Sequence, residues 1–338
     1  MYKFNNQFYL GKHLIKNHNK PYIIAEVGSN FNQSLKLAFK YVDLCKKLGA
    51  NCIKFQLFKA SDLLNKDHNS FNNFLKNELP IPWLKKISDY SKKKKIDFMC
   101  SPFSISAVDQ LKKINISSFK VASSELLNFN LLQAISKTKK PIILSTGMAT
   151  LEDVKLSLRY LNKLKVKKII LLQCTSNYPT KSVDLHLNVI ETYKSIFNNM
   201  PVGFSDHSVS FNSPALAVSK GACVIEKHIT LNNKNSGPDH FYALNPKKFS
   251  LMIKAINEAH LSNGSFDKTM HFLEKKYGRK KSLYFIKNIH KGKKVKFESF
   301  LIKNSNKGIS PKNIDLILNK SLKKNVKINQ LVKKEDFQ

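Results

Sequence analysis

GACVIEKH, residues 221–228, opens as a buried strand and closes on three titratable side chains. Side chains alternate faces along a strand, so Glu226 and His228 share one face and Lys227 takes the other. ITLNNKNSGPDH follows (229–240) and adds Asp239 and His240. A strand that ends this way needs a polar destination, and the rest of the chain says what it is.

Working outward, the same unit recurs. Strand-like runs lie at 22–27, 51–56, 96–101, 117–122, 141–146, 167–175, 202–205 and 223–228. Helical periodicity separates them, at 34–49, 82–95, 129–138, 150–164, 185–197, 213–221 and 246–261. Ser34 reads as an N-cap and Gly49 as a stop, and Thr150 with Asp153 forms a capping-box start. Strands alternating with helices make parallel sheets, and eight such units over roughly 250 residues predict an α/β fold, a (β/α)8 TIM barrel. The N-terminal KFNNQFYLGKHLI (3–15) reads as a hairpin that closes the barrel bottom. The barrel domain is expected over 1–262 and a polar linker with some helix over 263–281. A small β-rich domain is expected over 282–338, with strand-like runs SLYFIK, VKFESFLIK and KINQLV.

Active sites of such barrels form at the C-terminal strand ends. Here those ends carry Glu26, then Lys54 and Gln56, then Ser101. Lys120 follows with Ser123 and Glu125 just beyond, then Ser145, Thr146 and Gly147, then Thr175, Ser176 and Tyr178. Ser205 with His207 and Glu226 with His228 complete the ring. Any one of these has a bland explanation in core packing or a helix start; polar groups at all eight ends do not. Two imidazoles on adjacent strands can hold one divalent metal and leave positions open for substrate. Lys54 and Lys120 beside Ser123, Ser145 and Ser205 suit a phosphate or carboxylate. Glu26, Glu125, Glu226 and Asp239 are candidates for acid/base work or for polar contacts to a sugar.

Composition bounds the alternatives. Of 338 residues, 42% are hydrophobic, enough for sizeable cores. No apolar run reaches the ~18 residues of a membrane span and no signal-peptide core is evident, so a cytoplasmic protein is expected, with no membrane partner. Five cysteines without CxxC spacing read as buried, reduced thiols. The net charge of +35 invites a nucleic-acid partner. That charge is almost all lysine spread along the chain, whereas base readout favours arginine, present only as Arg159 and Arg279, so no nucleic-acid partner is expected.

IIAEVGSN, IKFQLF, CSPF, KVASSEL, ILSTGMAT, CTSNYPT, GFSDHS, GACVIEKHITL and GPDH, in this order, resemble motifs of the sialic acid synthase family, which includes the N-acetylneuraminate, legionaminate and pseudaminate synthases. KGISP resembles part of its antifreeze-like (SAF) domain. The resemblance implies condensation of phosphoenolpyruvate with an N-acetylated amino sugar, giving a nine-carbon 2-keto acid and phosphate. It implies Mn2+ or Mg2+ held by His207 and His228, acting as a Lewis acid on the aldehyde oxygen. Phosphoenolpyruvate contacts fall on Lys54, Ser101, Lys120, Ser123, Ser145 and Ser205. Sugar contacts and acid/base candidates fall on Glu26, Glu125, Tyr178, Glu226 and Asp239. A domain-swapped homodimer is implied, the small domain of one subunit capping the other's barrel.

Three places depart from the family pattern: the Asn30–Gln33 stretch, with Phe31 inside it; Ser176, two positions ahead of Tyr178; and Asn304, where the family carries an arginine that reaches the partner's sugar. All three are expected to bear on the sugar, favouring a 6-deoxy diacetamido hexose over N-acetylmannosamine. The competing readings are a barrel synthase using a phosphorylated sugar and, more remotely, a basic nucleic-acid-binding protein.

Overall fold

The computed structural model describes residues 2–278 and 280–338, so Arg279 lies outside the described residues. The chain forms two compact units, Met1–Gly264 and Ser265–Gln338. The first begins with a hairpin, β1 (Gln7–Leu10) and β2 (His13–Lys16). Eight parallel strands follow: β3 (Tyr22–Glu26), β4 (Cys52–Leu57), β5 (Asp97–Pro102), β6 (Phe119–Val121), β7 (Ile142–Ser145), β8 (Ile169–Cys174), β9 (Val202–Asp206) and β10 (Val224–His228). Hydrogen-bonded neighbours run β5-β4-β3-β10-β9-β8-β7-β6, and the end strands β5 and β6 lie against one another. This is the expected TIM barrel.

The helices of this unit are α1 (Leu35–Leu48), α2 (Ala60–Leu63), α3 (Phe71–Leu75), α4 (Ile81–Lys93), α5 (Ile105–Lys113), α6 (Phe129–Ser136), α7 (Leu151–Lys163), α8 (Val189–Ile196), α9 (Ser213–Ser219) and α10 (Pro246–Asn263). Their caps follow local chemistry. Ser34 Oγ accepts from Leu37 N, Gly49 ends α1 with φ +93°, and Thr150 and Asp153 close a reciprocal capping box. Helix α5 was not singled out above; Ser104 caps it, and its buried Ala107, Val108 and Leu111 face the core. Helices α2 and α3 are single short turns in a segment without hydrophobic period.

Two apolar layers result. One lies between sheet and helices. The other fills the barrel floor, where Phe8, Leu10 and Ile15 of the hairpin pack with Tyr22, Ile24, Met99, Ile143 and Leu172. Each fully buried side chain of this kind contributes about 1.5–3 kcal/mol, so the hairpin is a stable plug that leaves only the other end of the barrel open.

The second unit contains α11 (Phe272–Tyr277) and the antiparallel pair β11 (Lys281–Phe285) and β12 (Phe300–Asn304). Leu283, Phe285, Val295, Ile309, Val332 and Phe337 form its core. KINQLV does not make the expected strand. It contributes only a bridge between Leu331 and Tyr284, because Asn329 adopts a left-handed φ of +62° that breaks extended backbone. Among the described residues, no helix is long and apolar enough to cross a membrane.

Candidate active site

At the open end lies a cavity of about 470 Å³. Glu26, Lys54, Ser101, Lys120, Ser123, Glu125, Ser145, Tyr178, Ser205, His207, Glu226 and His228 all line it. The period-2 alternation aims these side chains inward from the strand ends. Phe58, Leu63, Phe74, Phe103 and Met148 add an apolar portion of the lining. They come from loops with no periodic signal, so sequence reasoning missed them.

Two lysines and two glutamates interlock inside the barrel. Lys54 Nζ lies 2.9 Å from Glu26 Oε2 and 3.5 Å from Glu226 Oε2. Lys120 Nζ lies 3.6 Å from Glu226 Oε1 and donates to Ser145 Oγ at 2.7 Å. Lys54 also reaches Ser101 Oγ at 3.3 Å, Ser205 Oγ donates to Glu226 at 3.0 Å, and Gln56 donates to Glu26 at 2.7 Å. Glu26 Oε2 and Glu226 Oε2 accept no hydrogen bond of good geometry despite their buried positions and nearby ammonium groups. Oxygens left in this state are ones a bound substrate, ion or water can satisfy.

Electrostatics drives the two carboxyls apart. Burial raises the Glu26 carboxyl, against the pull of Lys54 and with the push of Glu226. Burial opposes ionisation of Glu226 as well, but Lys120 and Lys54 overcome it and hold the group well below the usual carboxylate range. Environments that split a carboxylate pair in this way assign proton-donor character to Glu26 and a persistent charge to Glu226. Burial pulls the Lys120 ammonium below its ordinary range, whereas Glu226 and Glu26 outweigh burial at Lys54 and raise it.

The two imidazoles stand beside this cluster with ring centroids 5.5 Å apart. His207 Nδ1 lies 2.9 Å from Thr175 O, which makes Nδ1 the protonated nitrogen. Tyr242 Oη donates to Asp239 Oδ1 at 2.8 Å and so accepts from His228 Nδ1 at 3.2 Å. Each ring is thereby left with its lone pair on Nε2. Burial holds His228 down at about 3, against the opposing pull of Asp239, so that ring is neutral. Cys174 Sγ, 3.8 Å from His207 Nδ1, raises His207 against burial, but this contact does not engage Nε2. An outer nitrogen tied to a carbonyl or to a tyrosine–carboxylate pair is the arrangement metal-ligating histidines use. The donor set fits a divalent cation. Among the described residues no group of three His, Cys, Asp or Glu side chains could hold a metal, so the protein would supply two ligands and leave the remaining positions to water or substrate.

Some expected site residues stand elsewhere or are already engaged. Asp239 does not line this cavity but an adjoining one of about 630 Å³, with Asn32 and Gln33. Its Oδ2 accepts from Ser29 N and Ser29 Oγ at 3.0 and 2.9 Å. Gly28, at φ +54°, permits that approach, since a Cβ there would come within 2.4 Å of Asp239 Oδ2. A carboxylate so engaged fits orientation of His228 through Tyr242 better than proton transfer. Glu125 lines the cavity but accepts from Asn128 at 2.7 Å and Ser124 at 3.1 Å. Phe31 corrects an expectation: it is 1% exposed and packs on Phe55 and Trp83 in the core, away from any sugar. Ser176 also differs from its expected place. It sits beside Ser123 and Gly147, at the hydroxyl-lined wall; a Cβ on Gly147 would meet its Oγ at 2.2 Å and that of Ser123 at 2.9 Å. Asn304 ends β12 in the second unit and is exposed. All five cysteines are free and buried, and Cys174 lines the cavity.

A parallel barrel with buried ammonium, carboxyl and imidazole groups at its C-terminal mouth defines a TIM-barrel enzyme. Its family follows from comparison with known proteins: residues 41–268 match the NeuB family model, and the chain belongs to that family, that of the sialic acid synthases. It is accordingly a carbon–carbon bond-forming synthase. N,N'-diacetyllegionaminic acid synthase of Campylobacter jejuni is 34% identical over 332 residues, covering 93% of this chain and 99% of that protein. Pseudaminic acid synthase of the same organism is 33% identical over 335 residues, covering 94% and 97%. Among solved structures, N-acetylneuraminic acid (sialic acid) synthetase from Leptospira borgpetersenii, in complex with citrate, superposes with a TM-score of 0.76 at 30% identity, covering 80% of this chain and 94% of that one.

Proposed function

We propose that the chain condenses phosphoenolpyruvate with the open-chain aldehyde of an N-acetylated amino sugar. C3 of phosphoenolpyruvate bonds to the aldehyde carbon, water adds at C2, and cleavage of the C2–O bond releases phosphate and leaves a nine-carbon 2-keto acid. The observation that carries this reading is the Lys54–Glu26–Glu226–Lys120 cluster standing beside two imidazoles in one cavity.

Lys54 with Ser101, and Lys120 with Ser145, are hydroxyl–ammonium pairs suited to the carboxylate and phosphate of phosphoenolpyruvate, with Ser123 and Ser205 alongside. Glu26, the carboxyl that keeps its proton more readily, is placed to protonate the aldehyde oxygen as it becomes a hydroxyl. Glu226, held ionised, keeps both ammonium groups charged and serves as the base for the incoming water. Mn2+ or Mg2+ held by His207 and His228 would supply Lewis-acid polarisation of the aldehyde. Tyr178, packed on His207 at 4.3 Å between ring centroids, walls the sugar side, and Phe58, Phe74 and Phe103 suit a methyl-bearing sugar such as a 2,4-diacetamido-2,4,6-trideoxyhexose.

The reading extends to a homodimer in which the second unit acts as an antifreeze-like cap on the partner's barrel, and to a cytoplasmic location, where phosphoenolpyruvate is available. Product analysis tests it. Phosphoenolpyruvate bearing 18O at its bridging oxygen should deliver the label to phosphate, and the organic product should have the mass of the sugar plus a pyruvoyl unit. Label retained in the organic product would refute the proposed cleavage.

A further inference from the structure

Lys227 points away from the cavity, yet it is only 1% exposed. Its Nζ lies 2.7 Å from Asp206 Oδ2 and donates to Ser208 O at 2.5 Å. Asp206 is equally buried. Its Oδ1 accepts from Ser208 N at 2.8 Å, and its Oδ2 accepts from Ser213 Oγ, in the first turn of α9, at 2.6 Å. None of these groups takes part in the chemistry proposed above.

The placement of this network gives it a use. β9 and β10 pair with Glu226 opposite Ser205 and Lys227 opposite Asp206. On the inner face the register sets Ser205 against Glu226 and, one step on, brings His207 toward His228. On the outer face it sets Asp206 against Lys227. His207 therefore stands between two residues the ion pair holds, Asp206 and Ser208, and His228 directly follows the third. A one-residue slip would turn an imidazole out of the barrel. Apolar side chains could fill the outer space at no loss of packing, often with a gain in stability, but they carry no register information.

We propose that Asp206 and Lys227 are positioning residues: their ion pair locks β10 against β9 so that His207 and His228 present Nε2 to the same cavity. This rests on the reading that the two histidines hold the metal. The test measures binding of Mn2+ alone, by electron paramagnetic resonance of the free ion, well below the unfolding temperature. Lys227→Met is compared with Leu158→Ala, a truncation of a buried α7 residue remote from both strands. Thermal unfolding is recorded for each.

Lys227→Met should weaken Mn2+ about tenfold or more, the scale of a lost outer-shell partner, while Leu158→Ala binds as the parent does. Asp206→Asn with Lys227→Met removes both charges and keeps an acceptor for Ser208 N. It should regain thermal stability relative to Lys227→Met without regaining Mn2+ affinity, and it carries the comparison should the single variant not fold. Parent-like Mn2+ affinity in the Lys227 variants, or an equal loss in Leu158→Ala, would overturn the proposal. A parent protein that binds no Mn2+ would instead overturn the metal reading, and this proposal with it.

Discussion

Lys54 Nζ lies 2.9 Å from Glu26 Oε2, with both side chains almost wholly withdrawn from solvent. Burial already raises the Glu26 carboxyl, and removing the ammonium would raise it further. A carboxyl whose folded pKa is raised costs stability where it must ionise, and that cost fades as pH falls through the folded value. Lys54→Met should therefore destabilise most at neutral pH and above, by up to about 3–5 kcal/mol, and the gap from the parent should narrow on acidification. Denaturant midpoints at about pH 5 and pH 8 check this, and an equal gap at both would contradict it.

His207→Ala and His228→Ala should each remove turnover while preserving the fold. Both leave the barrel core untouched, and each deletes one of two imidazole ligands. Mn2+ affinity should fall by more than the roughly 10–100-fold expected from losing an outer-shell partner, the loss predicted for Tyr242→Phe. Calorimetric titration with Mn2+ and far-UV circular dichroism are the checks. Near-parent turnover in either histidine variant at micromolar metal would show the ligand assignment to be wrong.

Lys120 should set the alkaline limit of substrate capture. It binds an anion only while protonated, and burial lowers its pKa. Hence kcat/KM for phosphoenolpyruvate should begin to fall below the ordinary lysine range of about 10.4. A profile flat up to that range would show that another group carries the anion.

How far the site could be read from the sequence depended on alternation. Glu26, Lys54, Lys120, Ser205, Glu226 and His228 were legible because period-2 spacing at a barrel strand end leaves one direction for each side chain. The same rule turned Lys227 outward but could not supply Asp206 as its partner, since cross-strand register is absent from a single strand's sequence. Placing SDH beside EKH in register would have found it. Asp239 read as a free acid because hydrogen bonds from Ser29 and Tyr242 arrive from distant chain segments. Phe31 read as a sugar-side change because an aromatic in a loop gives no sign that Phe55 and Trp83 wait beneath it. The Phe58–Phe103 wall was illegible for the same reason that α2 and α3 were: no period marks that segment.

Asn304 stands where an arginine would give a forked, charged contact to a sugar. A charge-assisted hydrogen bond is worth roughly 1.5–3 kcal/mol, or about ten- to a hundredfold in affinity. Asn304→Arg should accordingly raise kcat/KM for N-acetylmannosamine relative to 2,4-diacetamido-2,4,6-trideoxy sugars. Steady-state kinetics with both sugars decides it, and a parent that already uses N-acetylmannosamine well and is unchanged by the arginine would count against this role.

The most direct measurement is release of inorganic phosphate from phosphoenolpyruvate by the purified protein with Mn2+ and a panel of aldoses. Release should require an N-acetylated amino hexose, should be absent with phosphoenolpyruvate alone, and should not occur with arabinose 5-phosphate. No release with any amino sugar on a broad panel, or release with arabinose 5-phosphate only, would contradict the assignment of an amino-sugar condensation to this barrel.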